Sequence, residues 1–219
     1  MNNPKNIIVT DKSRVRTNAK RGVYNYETIT KILDDSFICH IGFTKDNQPF
    51  VIPTCYGRNE NKILFHGAKG SRMLKHIKTG SEICINITNV DGIVLARSAF
   101  HHSINYRSVV IFGKAVEIAE PVEKINALRI ITEHILPGRW KDIRKPNEKE
   151  LNATSVFSLS LEEASGKVRE GEPVDEAEDM ELNIWAGIIP LKVVHSEPVR
   201  DSGLNKNILL PDYLNKFKS

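Results

Sequence analysis

The chain has 219 residues, 40% apolar and 26% charged, a composition that suits one globular domain with decorated ends and excludes a disordered chain. No apolar run approaches the roughly 20 residues of a membrane helix, and the opening MNNPKNIIVTDK lacks the layout of a secretory leader, so a cytoplasmic location is expected. The net charge of +4 belongs to residues 1–21, where Lys5, Lys12, Arg14, Arg16, Lys20 and Arg21 face one acid, Asp11; a solvated arm is expected there, and nucleic-acid binding has no further support.

After Gly22, NYETITKILDDS reads as a short helix capped by Asn25, with Ile29, Ile32 and Leu33 on one face. SFICHIGF alternates with period two and predicts a strand. TKDNQP is a hairpin turn into PFVIPTCYG, where Pro53 demands an edge, a bulge or an unpaired N–H. RNENK turns again into KILFHGA, the third strand of a meander.

KGSRMLKHIKTG predicts a turn into a short helix that Ser71 caps and Gly80 stops. EICINIT and GIVLARSA read as two strands paired with each other, and NYRSVVIFGKAVEIAE as a long one. Pro121 opens an amphipathic helix that Pro137-Gly138 ends. TSVFSLSLE and WAGIIPLKVV are the last strand signals. Between them, residues 162–181 hold nine acids against two bases and read as an acidic loop. Six or seven strands with only short helices between them predict a mainly β, antiparallel barrel. The expected organisation is a basic arm over 1–21, a barrel domain over 22–195 and a C-terminal extension over 196–219.

The segment His66-Gly67-Ala68-Lys69-Gly70-Ser71-Arg72 lies between a strand and a short helix. It combines small residues, two cations, a hydroxyl and free N–H groups, the parts of an anion site; a plain charged surface turn is the equal alternative. Tyr106-Arg107-Ser108 opens the long strand and offers an arginine and a hydroxyl that can reach the same anion, or an exposed arginine at a sheet edge. His40, His101 and His102 have no HxxxH or CxxC spacing, so no metal site is expected. Cys39, Cys55 and Cys84 sit in strand-like runs and read as buried reduced thiols. No GxSxG marks a nucleophile.

The short helix before SFICHIGF, then PFVIPTCYG, ILFHGAKGSRML and NYRSVVIFGKAVEI, followed by SGKVREGEPVD and WAGIIPL, form an ordered series over residues 22–193. This series resembles the pyridoxamine-phosphate-oxidase-like, FMN-binding split barrels, in particular the flavin-nucleotide-binding and nitroimidazole-resistance branch. The resemblance implies a split β-barrel that forms a homodimer, with FMN or FAD in clefts between subunits. It implies phosphate contacts from Lys69, Ser71 and Arg72, flanked by Gly67 and Ala68 and helped by Tyr106, Arg107 and Ser108. The strand Ile52-Pro53-Thr54-Cys55 would run along the isoalloxazine. His66 would stand on the substrate side, as the one catalytic candidate. Trp185 would cover the flavin or else lie in the core.

The implied activity is a flavin-dependent oxidoreductase acting on a small aromatic or nitroaromatic molecule. Two alternatives remain: a flavin-storage or sensing module, and a haem-binding barrel with an axial ligand among His40, His66, His101 and His102. The paired basic and histidine residues of the pyridoxamine-phosphate oxidases proper have no counterpart beyond Arg200 and His195, in a different context.

Overall fold

The computed structural model describes residues 7–217. Ten strands, all paired antiparallel, make one sheet: β1 (Gly22–Val23), β2 (Ile38–Lys45), β3 (Gln48–Asn59), β4 (Lys62–Ala68), β5 (Glu82–Leu95), β6 (Ser103–Lys114), β7 (Val116–Glu117), β8 (Thr154–Ser160), β9 (Ala164–Arg169) and β10 (Gly187–Pro190). Four α-helices accompany them: α1 (Tyr26–Asp34), α2 (Arg72–Ile77), α3 (Pro121–Ile135) and α4 (Glu148–Ala153).

The strand order runs β1-β9-β6-β5-β2-β3-β4-β8-β7, with β10 added to β5. The sheet curls back on itself, because β6 pairs with β9 while β7, its continuation, pairs with β8. Backbone bonds Phe112 N–Glu163 O (2.9 Å) and Ile118 N–Val156 O (2.8 Å) carry the pairing across the bend. Near its centre Gly113 adopts a φ of 143°, open to glycine and strained for other residues.

The barrel interior is apolar. Cys39, Ile41 and Phe43 of β2 meet Ile83, Ile85 and Ile87 of β5, Val109 and Ile111 of β6, and the stacked pair Phe65 and Phe157. Helix α1 adds Ile29, Ile32 and Leu33, each essentially fully buried and contributing about 1.5–3 kcal/mol. Asn25 caps it by accepting from Thr28 N–H, as its sequence predicts. Its last carbonyls are satisfied by the barrel: Asn89 donates to Ile32 O (3.1 Å) and the buried Tyr56 hydroxyl to Leu33 O (2.6 Å). Helix α3 packs outside β3 and β4. A Cβ on Gly57 would stand 2.7 Å from Ile131 Cα, so glycine is what lets the helix approach.

Several expectations change. EICINIT and GIVLARSA are one strand, β5, with an irregularity between Val90 and Gly92; it pairs with β6 on one side and with β2 and then β10 on the other, so the two runs do not pair with each other. The acidic stretch 162–181 contains β9, whose Ala164, Ser165 and Gly166 are buried. WAGIIPLKVV contributes only β10. The arm, from Ile7 on, is not a solvated tail: Ile7 and Ser13 are buried, Ile8 N–H bonds to Glu162 O, and Lys12 pairs with Glu82 and Glu163. His101 and His102 sit at a single 3-10 turn and not on a strand.

Candidate functional site

The hairpin of β2 and β3 turns at Asp46-Asn47, both at positive φ, with Lys45 opposite Gln48. In such a two-residue hairpin the closing pair is hydrogen-bonded, and bonding then alternates. Even-numbered residues of β3 therefore spend their backbone groups on β2, as the bond from Tyr56 N–H to Phe37 O shows. Odd-numbered residues address the other edge. That edge is paired with β4 only over Tyr56–Asn59, while His66, Gly67 and Ala68 of β4 continue along β8 alone.

The barrel is thus split between residues 48–55 and 66–68. Pro49 and Pro53 both fall at free-edge positions, so neither removes a ladder bond. Ile52 and Thr54 use their backbone on β2; Val51, Pro53 and Cys55 face the gap. Ile52 shares the inward face with Ile41 but is 36% exposed, because no strand covers it.

The loop beyond β4 lies at this split. Lys69 N–H bonds to Ala153 O and Ser71 N–H to Ala68 O. Ser71 stands at the start of α2 but its hydroxyl makes no capping bond, contrary to the sequence expectation, so that hydroxyl and the first-turn N–H groups are uncommitted. Arg72 lays its guanidinium 4.5 Å from the centroid of Phe50, which stacks on Phe43. Among the described residues neither Lys69 nor Arg72 has a carboxylate partner, and both are exposed. Lys124 of α3 is a cation the sequence did not single out. It donates to Leu151 O of α4 (2.5 Å), two residues before the Ala153 carbonyl that holds Lys69 N–H, and burial lowers its pKa.

His66 shares the outward face of the sheet with Leu64 and, across β8, with Val156. Its Nδ1 is buried with no partner among the described residues, and burial lowers its pKa, keeping the ring neutral. Cys39 is pushed up to about 12 by burial, which makes it an inert thiol. Cys55 and Cys84 are only half-buried. No group of three or more His, Cys, Asp or Glu side chains able to hold a metal occurs among the described residues.

The second predicted cluster is not brought to this loop. Arg107 lies opposite Asn89 on β5, whereas α2 leads into β5 at Glu82, seven residues or about 23 Å away along the strand. Its guanidinium is committed to Asp91, through Nε (2.9 Å) and Nη2 (2.8 Å), and to Asp35 through Nη1. The Ser108 hydroxyl donates to Lys167 O (3.4 Å), and Tyr106 stands half-buried opposite Arg169. Trp185 is 68% exposed, against Gly187, and is no core residue. Arg200 donates to the carbonyls of Asn205 and Ile208, and His195 packs on Phe217; both are committed among residues 195–217.

The solved structure of the flavocytochrome Anf3 from Azotobacter vinelandii is similar over 95% of this chain and 97% of its own, with 35% identity and a TM-score of 0.90. That of the FAD and haem binding protein from Mycobacterium smegmatis is similar over 90% and 97%, with 29% identity and a TM-score of 0.86. A protein from Bacteroides thetaiotaomicron assigned to 5-nitroimidazole antibiotic resistance shares the fold at 22% identity and a TM-score of 0.57, over 67% of this chain and 86% of its own. No protein of curated function matches the sequence. The family model described as pyridoxamine 5'-phosphate oxidase matches residues 25–168, from the cap of α1 to the end of β9, and the chain belongs to that family.

Proposed function

We propose that this protein binds a flavin nucleotide, FMN or FAD, at the split between β3 and β4, takes haem as a second cofactor, and serves as a flavin-dependent redox protein. The observation that carries the reading is the free edge of β3 beside a cationic loop with no acidic partner among the described residues, in a chain similar over 95% of its length to a flavocytochrome. Lys69, Ser71 and Arg72 would hold the flavin phosphate, with Lys124 adding positive potential. The edge groups of Val51, Pro53 and Cys55 would meet the polar rim of the ring system. Bound flavin supplies hydride and one-electron chemistry; the chain's own part is to fix the phosphate and to shield one side of the ring with the strand.

The haem reading draws on the likeness to the flavocytochrome and to the FAD and haem binding protein and on the histidines. Of the four that the sequence nominates, His102 bonds to Ser98 O (2.8 Å) and His101 stands 3.5 Å from Glu176. Among the described residues His66 keeps a buried ring nitrogen without a partner, and so does His76 beside Phe43. A neutral imidazole with an uncommitted nitrogen is what an axial ligand requires. Oxidation of pyridoxamine phosphate is not proposed, since Arg200 and His195 are committed elsewhere. The physiological acceptor is proposed to be a small aromatic or nitroaromatic molecule, and the working unit a homodimer with the flavin between subunits.

The test is an absorbance spectrum of the purified protein, with identification of the released chromophores and reoxidation of the dithionite-reduced form by a nitroaromatic. Flavin bands with a Soret band and rapid reoxidation are expected. Flavin without turnover would leave a storage or sensing module. A colourless protein that takes up neither FMN, FAD nor haem would overturn the reading.

A further inference from the structure

The end of the sheet remote from α2 carries a second group of cations that the proposed flavin loop does not use. Arg169, the last residue of β9, is 7% exposed. Its guanidinium bonds only neutral oxygens among the described residues: Asn105 Oδ1, Gly171 O (3.2 Å) and Glu172 O (3.4 Å). Its Nε–H is buried without any acceptor. Asn105 is fixed in turn by its own bond to Gly171 O (3.2 Å).

Strand β1 pairs Gly22 with Lys167, which runs the preceding Lys20 and Arg21 alongside the end of β9. All three cations line one cavity of about 520 Å³, together with Thr28, Glu170 and Glu172. Both glutamates are exposed, and neither carboxylate forms an ion pair with a cation among the described residues. Burial, and then the positive charge of Arg21, lower the pKa of Arg169. An uncompensated buried charge is destabilising, and a like charge at its side adds to that cost. A multiply charged anion seated between the two guanidiniums would remove both penalties.

We infer that this cavity is a second anion site, formed by Lys20, Arg21 and Arg169, that takes a phosphoryl group. Two guanidinium forks and an ammonium match the charge of nearly −2 and the three acceptor oxygens of a phosphate better than a monocarboxylate. Thr28 offers a further hydroxyl. The inference is independent of the flavin reading.

The test titrates inorganic pyrophosphate into the full-length protein by calorimetry at constant ionic strength, in a K69A/R72A background that disables the loop at the split. One saturable site is expected to remain there. Adding K20A/R21A, at positions outside the core, is expected to weaken it at least tenfold with an unchanged circular dichroism spectrum and Tm, and Arg21→Lys to restore part of the affinity. ADP distinguishes the source: tighter binding than pyrophosphate assigns the site to a nucleotide, equal binding to a free phosphate. No saturable binding in the K69A/R72A background, or the same affinity after K20A/R21A, overturns the site. Succinate binding more tightly than pyrophosphate overturns the phosphoryl assignment.

Discussion

Arg72 and Arg107 lie at opposite ends of the barrel, and the two ends treat the same side chain in opposite ways. Arg107 is gripped by Asp91 and Asp35, and around it the carbonyls of Ile32 and Leu33 are capped by Asn89 and Tyr56. Around Arg107 polar capacity is used in joining α1 to the sheet, while Arg169 at the same end keeps a buried Nε–H without a partner among the described residues. At the split, among the described residues, Arg72 rests on Phe50 without a carboxylate, Ser71 leaves its hydroxyl unused, and β3 leaves an edge unpaired. Interactions closed within the chain contribute to its stability, whereas groups held in place and left open are available to a ligand. One sheet can do both because β3 and β4 separate after four paired residues.

The sharpest way to break this comparison is to remove the open cations. The double variant K69A/R72A is expected to weaken flavin binding by about 3 kcal/mol, roughly a hundredfold in Kd, the worth of two charge-assisted hydrogen bonds. Its unfolding midpoint without flavin should be unchanged within error. Fluorescence titration with FMN and with FAD reads the first quantity, and urea denaturation the second. Equal affinity in variant and parent would remove the phosphate from this loop.

Arg107→Ala should do the reverse at the other end. Arg107 and its two partners are 29–43% exposed, so solvent screening moderates the loss, and a destabilisation of about 1–2 kcal/mol in urea is expected from two carboxylates left unpaired. Flavin affinity should change less than fivefold. A loss as large as that of the double variant would return Arg107 to the phosphate, reached from a second copy of the chain.

The difference between the two arginines was not legible in the sequence. Each sits beside a serine where the sequence predicts an element to begin, and what separates them is Asp35 and Asp91, 72 and 16 residues from Arg107, brought there by the fold. Local signals served better. The alternation of SFICHIGF, the turn at Asp46-Asn47, the cap at Asn25 and the stop at Pro137-Gly138 all act within a few residues, and the corresponding elements form as expected.

β9 escaped notice because acids surround it and because its buried positions are small. Gly166 packs under Val23 and Ile29, where an added Cβ would stand 3.2 Å from Val23 O, so the close approach of β1 and α1 selects residues with no strand signature. Lys124 escaped because only the packing of α3 carries it toward Lys69. The free edge of β3 was half legible: two prolines in one strand announce an edge, but which edge follows only from the register.

The smallest expected effect concerns His66, and its sign separates burial from solvent exposure at the split. Burial holds its pKa below the ordinary value of 6.5, so between the two values the unfolded chain binds the proton and the folded chain does not. Stability from this group is complete above pH 6.5 and is lost as the pH falls toward the folded value. His66→Gln, which cannot charge, should therefore lose less stability than the parent between pH 7.5 and pH 5. Urea midpoints of both proteins at each pH give the difference, with the other six histidines common to both. Parallel curves would mean that His66 is solvated in both states, and the uncommitted nitrogen would lose its claim as a haem ligand. A shallower curve for the variant would keep His66 a neutral imidazole at the gap, ready to bind without first giving up a proton.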